Sequence, residues 1–328
     1  MNPKRNKNQL LIKIVLLLVF TMAFLFLLEK AYGFLLLKNK NIKASYVLTE
    51  KVNVDLLVHG PCEPFWMINP KQLDSLTNLS SYNLALSHSN FADNLLHLNL
   101  YLKNNDPPEY MLLYVTPESL DERFNTFNTY RFTAHLEDTL VNKIVKEFDP
   151  DYYRWHQIPF MRHAYYSNFI NFKVVQGFKH YLTNRKIPFH PTGYEPPIIQ
   201  EWHHQQFDEL IEFYPERTTF VWSERREKYL RKLLDYTRDK GIKVILYESP
   251  VFKKSVVYQL NRGKFIEKIQ KIAAEKKVPY WVFDDLEMAN DVSNFFSTLN
   301  TTTKGSVIFT DTLGKRFRIA NNEQGTRK

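Results

Sequence analysis

Cysteine is nearly absent from this chain. Cys62 is the only one in 328 residues, which excludes an intramolecular disulfide and any cysteine-built metal cluster and leaves ordinary burial to hold the core. Glycine is scarce as well. Nine glycines are too few for an all-β architecture with many tight turns, so a helix-containing α/β domain is expected. No internal repeat is visible at any period. Hydrophobic residues make up 44% and aromatics 15%, ample for one large packed domain or two small ones and inconsistent with a disordered chain.

The formal net charge is +9, yet the basic residues are scattered and many lie at the two ends. Lys4, Arg5, Lys7 and Lys13 mark one end, and Lys315, Arg316, Arg318, Arg327 and Lys328 the other. Ends of this kind are solvated or touch anionic headgroups, so nucleic acid is not expected as a partner.

From Leu10 to Leu28 the chain reads LLIKIVLLLVFTMAFLFLL, with Lys13 as its single charge. That length crosses a bilayer, and Lys13 lies close enough to the end for its ammonium to snorkel to the interface. The apolar run continues past Glu29 and Lys30 into Tyr32 to Leu37, which marks an uncleaved signal anchor rather than a secretory signal. A buried core helix is disfavoured because no polar face interrupts the run. Lys30, Lys38, Lys40 and Lys43 partly offset the positive-inside bias of the N-terminus. The expectation is a single-pass membrane protein: cytoplasmic residues 1–9, anchor 10–28, neck 29–53, and a soluble domain outside the cytoplasm, periplasmic or extracellular.

In the soluble part, Val54 to Val58 (VDLLV) runs into His59-Gly60-Pro61, the pattern of a buried strand entering a turn. Asn69-Pro70 supplies an N-cap and first-turn proline for a helix through Leu76, followed by a short strand, Ser81 to Leu86. Asn90 to Leu102 carries Phe91, Leu95, Leu98 and Leu102 on one helical face, and Tyr110 to Val115 is a third strand. The alternation resumes with a charged helix, Glu224 to Lys240, stopped at Gly241, and a strand, Ile242 to Tyr247, that ends at Glu248-Ser249-Pro250. Phe265, Ile266, Ile269, Ile272 and Ala273 stripe another helix before a fifth strand, Val278 to Phe283. Strands alternating with helices imply a central parallel sheet of about five strands. Residues 120–221 lack the alternation and read as an insertion of helices and loops over the carboxyl ends of the strands, where open α/β sheets bind ligands.

This order of elements resembles the SGNH hydrolase superfamily, and more narrowly its membrane-anchored members related to D-alanyl lipoteichoic acid transfer proteins and alginate O-acetylation proteins. The resemblance rests on Gly60-Pro61-Cys62-Glu63 after the first strand, Ile68-Asn69-Pro70 at a helix start, Tyr82-Asn83-Leu84 in the second strand and Glu248-Ser249-Pro250-Val251-Phe252 after a late strand. It spans residues 54–317 apart from the insertion, with 318–328 left as a flexible tail. It implies a three-layer, flavodoxin-like sandwich and a site in which a serine after the first strand is the nucleophile.

The departures bear on chemistry. Cys62 stands at the nucleophile position. The late block D-x-x-H-L-N-x-x-G, counted back from Gly305, puts Ser297 in place of the aspartate and Asn300 in place of the histidine. An asparagine amide cannot serve as general base. Ala85 stands where the resemblance implies an oxyanion-supporting glycine, keeping the N–H and adding a methyl. Cys62 is then either a thiol nucleophile, with His88 or His59 managing the proton, or a buried small hydrophobe in a degenerate site together with Gly60, Ala85, Ser297 and Asn300. Adjacent Glu63 opposes a lowered thiol pKa.

Two functions follow. One is a non-catalytic binding or positioning partner in cell-envelope acyl or glycan modification, working with the bilayer and with a membrane-bound O-acyltransferase or an envelope polysaccharide. The other is an esterase or O-acyltransferase using Cys62. No cofactor is expected, and no metal, because the adjacent His203 and His204 point in different directions. Trp66, Tyr130, Tyr152, Tyr153, Trp155, Tyr165 and Tyr166 are either a carbohydrate-stacking surface or packing.

Overall fold

The computed structural model describes residues 3–124, 127–202, 211–212 and 217–325. The chain divides into two compact units: Met1–Thr49 with Thr129–Pro188, and Glu50–Asn128 with Phe189–Lys328.

The second unit is α/β. Its five strands, β1 (Leu56–His59), β2 (Ser81–Asn83), β3 (Tyr110–Tyr114), β4 (Lys243–Glu248) and β5 (Tyr280–Val282), form one sheet in the order β2-β1-β3-β4-β5. Every pairing is parallel, with Val58 opposite Asn83 on one side and Leu112 on the other. The strands were expected where they lie, but several are shorter than their apolar runs. β2 ends at Asn83, whose side chain donates from Nδ2 to the carbonyls of Pro64 (2.6 Å) and Ile68 (2.9 Å) and accepts the Ala85 N–H at Oδ1 (3.1 Å).

Both faces of the central strands are buried, as a parallel sheet requires. One face packs Leu56, Val58, Leu112, Tyr114 and Tyr247 against Leu73, Phe309, Leu313 and Phe317. The last three belong to the helix Thr303–Gly325. This helix runs past residue 317, where a flexible tail was expected, because Phe309, Leu313 and Phe317 recur every four residues on one buried face. The Phe91–Tyr101 helix opens with a reciprocal capping box between Asn90 and Asp93, and the Glu224–Asp239 helix is capped by Ser223.

The other unit is helical. Its Pro3–Lys38 helix contains a stretch, Asn8–Lys38, long and apolar enough to cross a membrane, consistent with a single-pass anchor. Its apolar side chains from Leu10 to Phe20 are bare. From Glu29 onward the helix is clothed by part of the segment read as the insertion. Leu36 packs on Ile170 and Val174 of the helix Ser167–Leu182. Gly177 allows the close approach, since a Cβ there would lie 1.9 Å from the Leu35 carbonyl oxygen.

Candidate active site

At the carboxyl end of β1 the chain must turn sharply. Gly60 adopts φ +145°, and a side chain there would strike Tyr114 Cβ at 2.7 Å and Pro64 Cγ at 2.9 Å. The turn delivers Cys62 to the start of the short helix Cys62–Met67. In the β2-β1-β3 part of the sheet the connections from β1 diverge, which is the topological switch point where open α/β sheets take their ligands.

The loop after β2 runs back to the same place. Leu86 N–H (3.0 Å) and Ser89 Oγ (3.2 Å) both donate to the Gly60 carbonyl, which pins Ser87 and His88 beside Cys62. His88 holds a left-handed backbone, φ 52°, an uncommon conformation for a non-glycine residue. Asn128 Nδ2 donates to the His88 carbonyl, and the His88 N–H donates to Cys62 Sγ at 3.0 Å. The Ser87 hydroxyl sits 3.4 Å from Sγ and 2.8 Å from His88 Nδ1, and Sγ and Nδ1 are 4.0 Å apart. The thiol is half-buried and the imidazole exposed. The geometry thus forms a path from sulfur through a hydroxyl to a ring nitrogen, with an N–H donor aimed at the sulfur. Such a donor favours the thiolate.

The other expected residues occupy different roles. His59 is fully buried, accepting the Gly60 N–H at Nδ1 (3.0 Å) with Nε2 2.9 Å from the Asn94 carbonyl oxygen. Both nitrogens are committed to backbone, so His59 holds the elbow. The Ala85 N–H is engaged by Asn83 Oδ1. Ser297 and Asn300 clasp each other, with Asn300 Nδ2 donating to Ser297 Oγ at 2.9 Å. Their loop reaches the Cys62–Met67 helix through an edge contact between Phe296 and Trp66, with ring centroids 6.0 Å apart. Glu248, at the end of β4, is buried against Arg262 and accepts from the Tyr280 hydroxyl at 2.7 Å, while Arg262 also reaches Asp284 at 2.6 Å.

Ser87 was not anticipated. Only its position between Leu86 and His88 could have signalled it. Glu63 is a second surprise: its side chain is buried, and burial, reinforced by the nearby Glu118 carboxylate, pushes its pKa up to about 7. Glu63 Oε2 and the Tyr247 hydroxyl have no hydrogen-bond partner among the described residues. Burial also raises Glu248, to about 8, although Arg262 pulls against it.

The aromatics mostly pack. Tyr152 is fully buried, Tyr130 stacks on Phe169 with centroids 5.1 Å apart, and Tyr166 donates to Asp149, leaving Trp155 and Tyr165 exposed. His203 and His204 lie outside the described residues. Among the described residues no group of three or more His, Cys, Asp or Glu is placed to hold a metal ion. The sequence matches no protein-family model and no curated protein.

Proposed function

We propose that this is a membrane-anchored, extracytoplasmic domain of the SGNH hydrolase type in which a thiol site has replaced the Ser/His/Asp set, acting as an esterase or O-acyltransferase on acyl groups of the cell envelope. The sheet order β2-β1-β3-β4-β5 supports the fold, since it is the flavodoxin-like doubly wound order. On this reading helices flank both faces of the sheet as a three-layer sandwich. The observation that carries the chemistry is the Cys62 sulfur within 4.0 Å of His88 Nδ1, with Ser87 Oγ beside both.

In the step this implies, the Cys62 proton passes to Ser87 as the Ser87 proton passes to His88 Nδ1. The thiolate then adds to the ester carbonyl carbon. Collapse of the tetrahedral adduct breaks the C–O bond, and the departing alkoxide takes the proton from the imidazolium, leaving a thioester on Cys62. Water, or the hydroxyl of an envelope glycan, then gives its proton to His88 as its oxygen adds to the thioester carbonyl carbon; collapse breaks the C–S bond, and the thiolate regains a proton from the imidazolium through Ser87.

A second reading is favoured by the Ala85 N–H, which Asn83 has already engaged, and by Asn300, which cannot act as a base. Here the domain binds an acyl carrier, a polysaccharide or a membrane-bound O-acyltransferase without turnover. Intact-mass measurement after exposure to p-nitrophenyl acetate decides between them. The thiol reading expects one acetyl group on Cys62, none in Cys62→Ala, and acylation slowed roughly 10²- to 10⁴-fold in His88→Ala, the usual contribution of a positioned base. An unmodified wild-type chain leaves the binding reading.

A further inference from the structure

The helix Pro3–Lys38 is much longer than a bilayer needs, since about 20 residues span the hydrocarbon core. What surrounds it beyond Leu28 is specific. Glu29, the next residue, accepts the Phe160 N–H at 2.9 Å and pairs with Arg162. Phe160 is held at φ 69°, a genuine outlier for a bulky residue, so the surrounding structure over-determines this position. Tyr32 packs edge-on against Phe160 with centroids 4.9 Å apart, and its hydroxyl donates to Asn171 at 3.2 Å.

The Ser167–Leu182 helix packs against the anchor helix at Leu36 and, by close approach, at Gly177. Its Asn171 meets Tyr32, the Lys173 carbonyl accepts from Asn39, and His180 Nδ1 accepts the Lys40 N–H. At about 1.5 Å per residue, Glu29 and Tyr32 lie within roughly 6 Å of Leu28 along the axis, and Lys40 about 18 Å away. The first pair therefore falls in the interfacial layer and the last outside it.

Large apolar side chains are left bare at the near level, at the head of an exposed stripe that continues along the Ser167–Leu182 helix through Val175, Phe178 and Leu182. Trp155 is 47% exposed, Ile158 41%, Tyr165 44%, Phe169 59% and Phe172 60%. Two turns tie the first two to Phe160: Ile158 N–H donates to the Trp155 carbonyl, and Met161 N–H to the Ile158 carbonyl. The charges nearby, Lys30 with Glu137 at 3.6 Å and Arg154 with Asp151 at 3.5 Å, are exposed and paired, a mixture that a headgroup layer accommodates. Amphipathic Trp and Tyr rings favour that layer.

We infer that residues 155–172 form a membrane-docking collar around the exit of the anchor helix, with Trp155, Ile158, Phe169 and Phe172 inserted into the lipid interface. The collar adds a monotopic contact to the single span and fixes the helical unit at a set height and tilt on the bilayer. It rests on the reading of residues 10–28, within the apolar stretch Asn8–Lys38, as the membrane-spanning part of the helix.

The test uses the unmodified full chain in phosphatidylcholine vesicles containing a phosphatidylcholine with a diazirine near the glycerol end of its acyl chain. After photolysis, adducts are mapped by peptide mass. Adducts are expected in the anchor and in 155–172, the latter several-fold above the background in vesicles without the diazirine lipid. Labelling of the anchor with none above that level in 155–172 overturns the collar and leaves the anchor standing. Absence of adducts from both overturns the anchor and the collar together.

Discussion

One residue from the thiol sits a carboxyl group whose ionisation the fold opposes. Glu63 has an ordinary carboxyl pKa when the chain is unfolded and one raised to about 7 in the folded state, so between about 4.5 and 7 the folded form keeps a proton that the unfolded form has released. Stability attributable to this group is therefore present in full at low pH, falls as pH rises through that window, and stays lowered above it. The difference amounts to about 3 kcal/mol at most. Glu63→Gln is expected to remove the decline: chemical unfolding at pH 8 should show the variant more stable than wild type by up to that amount, with the gap closing near pH 4. A parallel pH dependence in both proteins contradicts the assignment. The neutral form also bears on Cys62, since a protonated neighbour does not oppose the thiolate as the ionised Glu63 read from the sequence would. The sequence places Cys62 and His88 at loop ends and cannot show that the two loops meet. What joins them is the Gly60 carbonyl, a backbone acceptor for Leu86 and Ser89 that leaves no mark on composition or spacing. His59 looked equally suited as a base from its position, and only its burial against the Asn94 carbonyl separates it from His88.

Among the elements, the strands were legible because each is an apolar run between turn signals, and Asn69-Pro70 announced a helix start. Asn90 accepts from the Ala92 and Asp93 N–H groups and Asp93 returns a bond to the Asn90 N–H, closing the Phe91–Tyr101 helix at the edge of the candidate site. Asn90→Ala is expected to cost about 1 kcal/mol, the usual loss for a cap of this kind, read as a lower urea midpoint with unchanged slope. The loss should carry over to Cys62 acylation, since Ser89 and His88 are held by the same turn; a destabilised variant acylated at the wild-type rate separates cap from site. The Thr303–Gly325 helix was missed because Gly305 and Gly314 interrupt it with the poorest helix formers short of proline, although Phe309, Leu313 and Phe317 recur at helical spacing. Residues 129–188 show no strand-helix alternation because they serve a different core, built around Leu36, Ile170 and Val174.

For the whole molecule, the bare apolar surface from Leu10 to Phe20 belongs to a helix long and apolar enough to cross a membrane, and the proposed anchoring predicts that membrane association resides there. Leu16→Arg combined with Val19→Arg should weaken it, at roughly 3 kcal/mol per charge near the bilayer centre. Fractionation with alkaline carbonate is expected to leave wild type in the pellet and to shift the double variant toward the supernatant, and identical partitioning would argue against the span.

The two units are interleaved along the chain, and this imposes an order on biosynthesis. A ribosome that has released the anchor must still make all of residues 50–128 before the segment that clothes Glu29 and Leu36 begins to appear. β1, β2 and β3 emerge in that interval, yet β4 begins only at Lys243, so the nascent sheet waits with one flank open while the helical unit is completed first. Chaperone demand should accordingly persist from the emergence of β3 until β4 has been made.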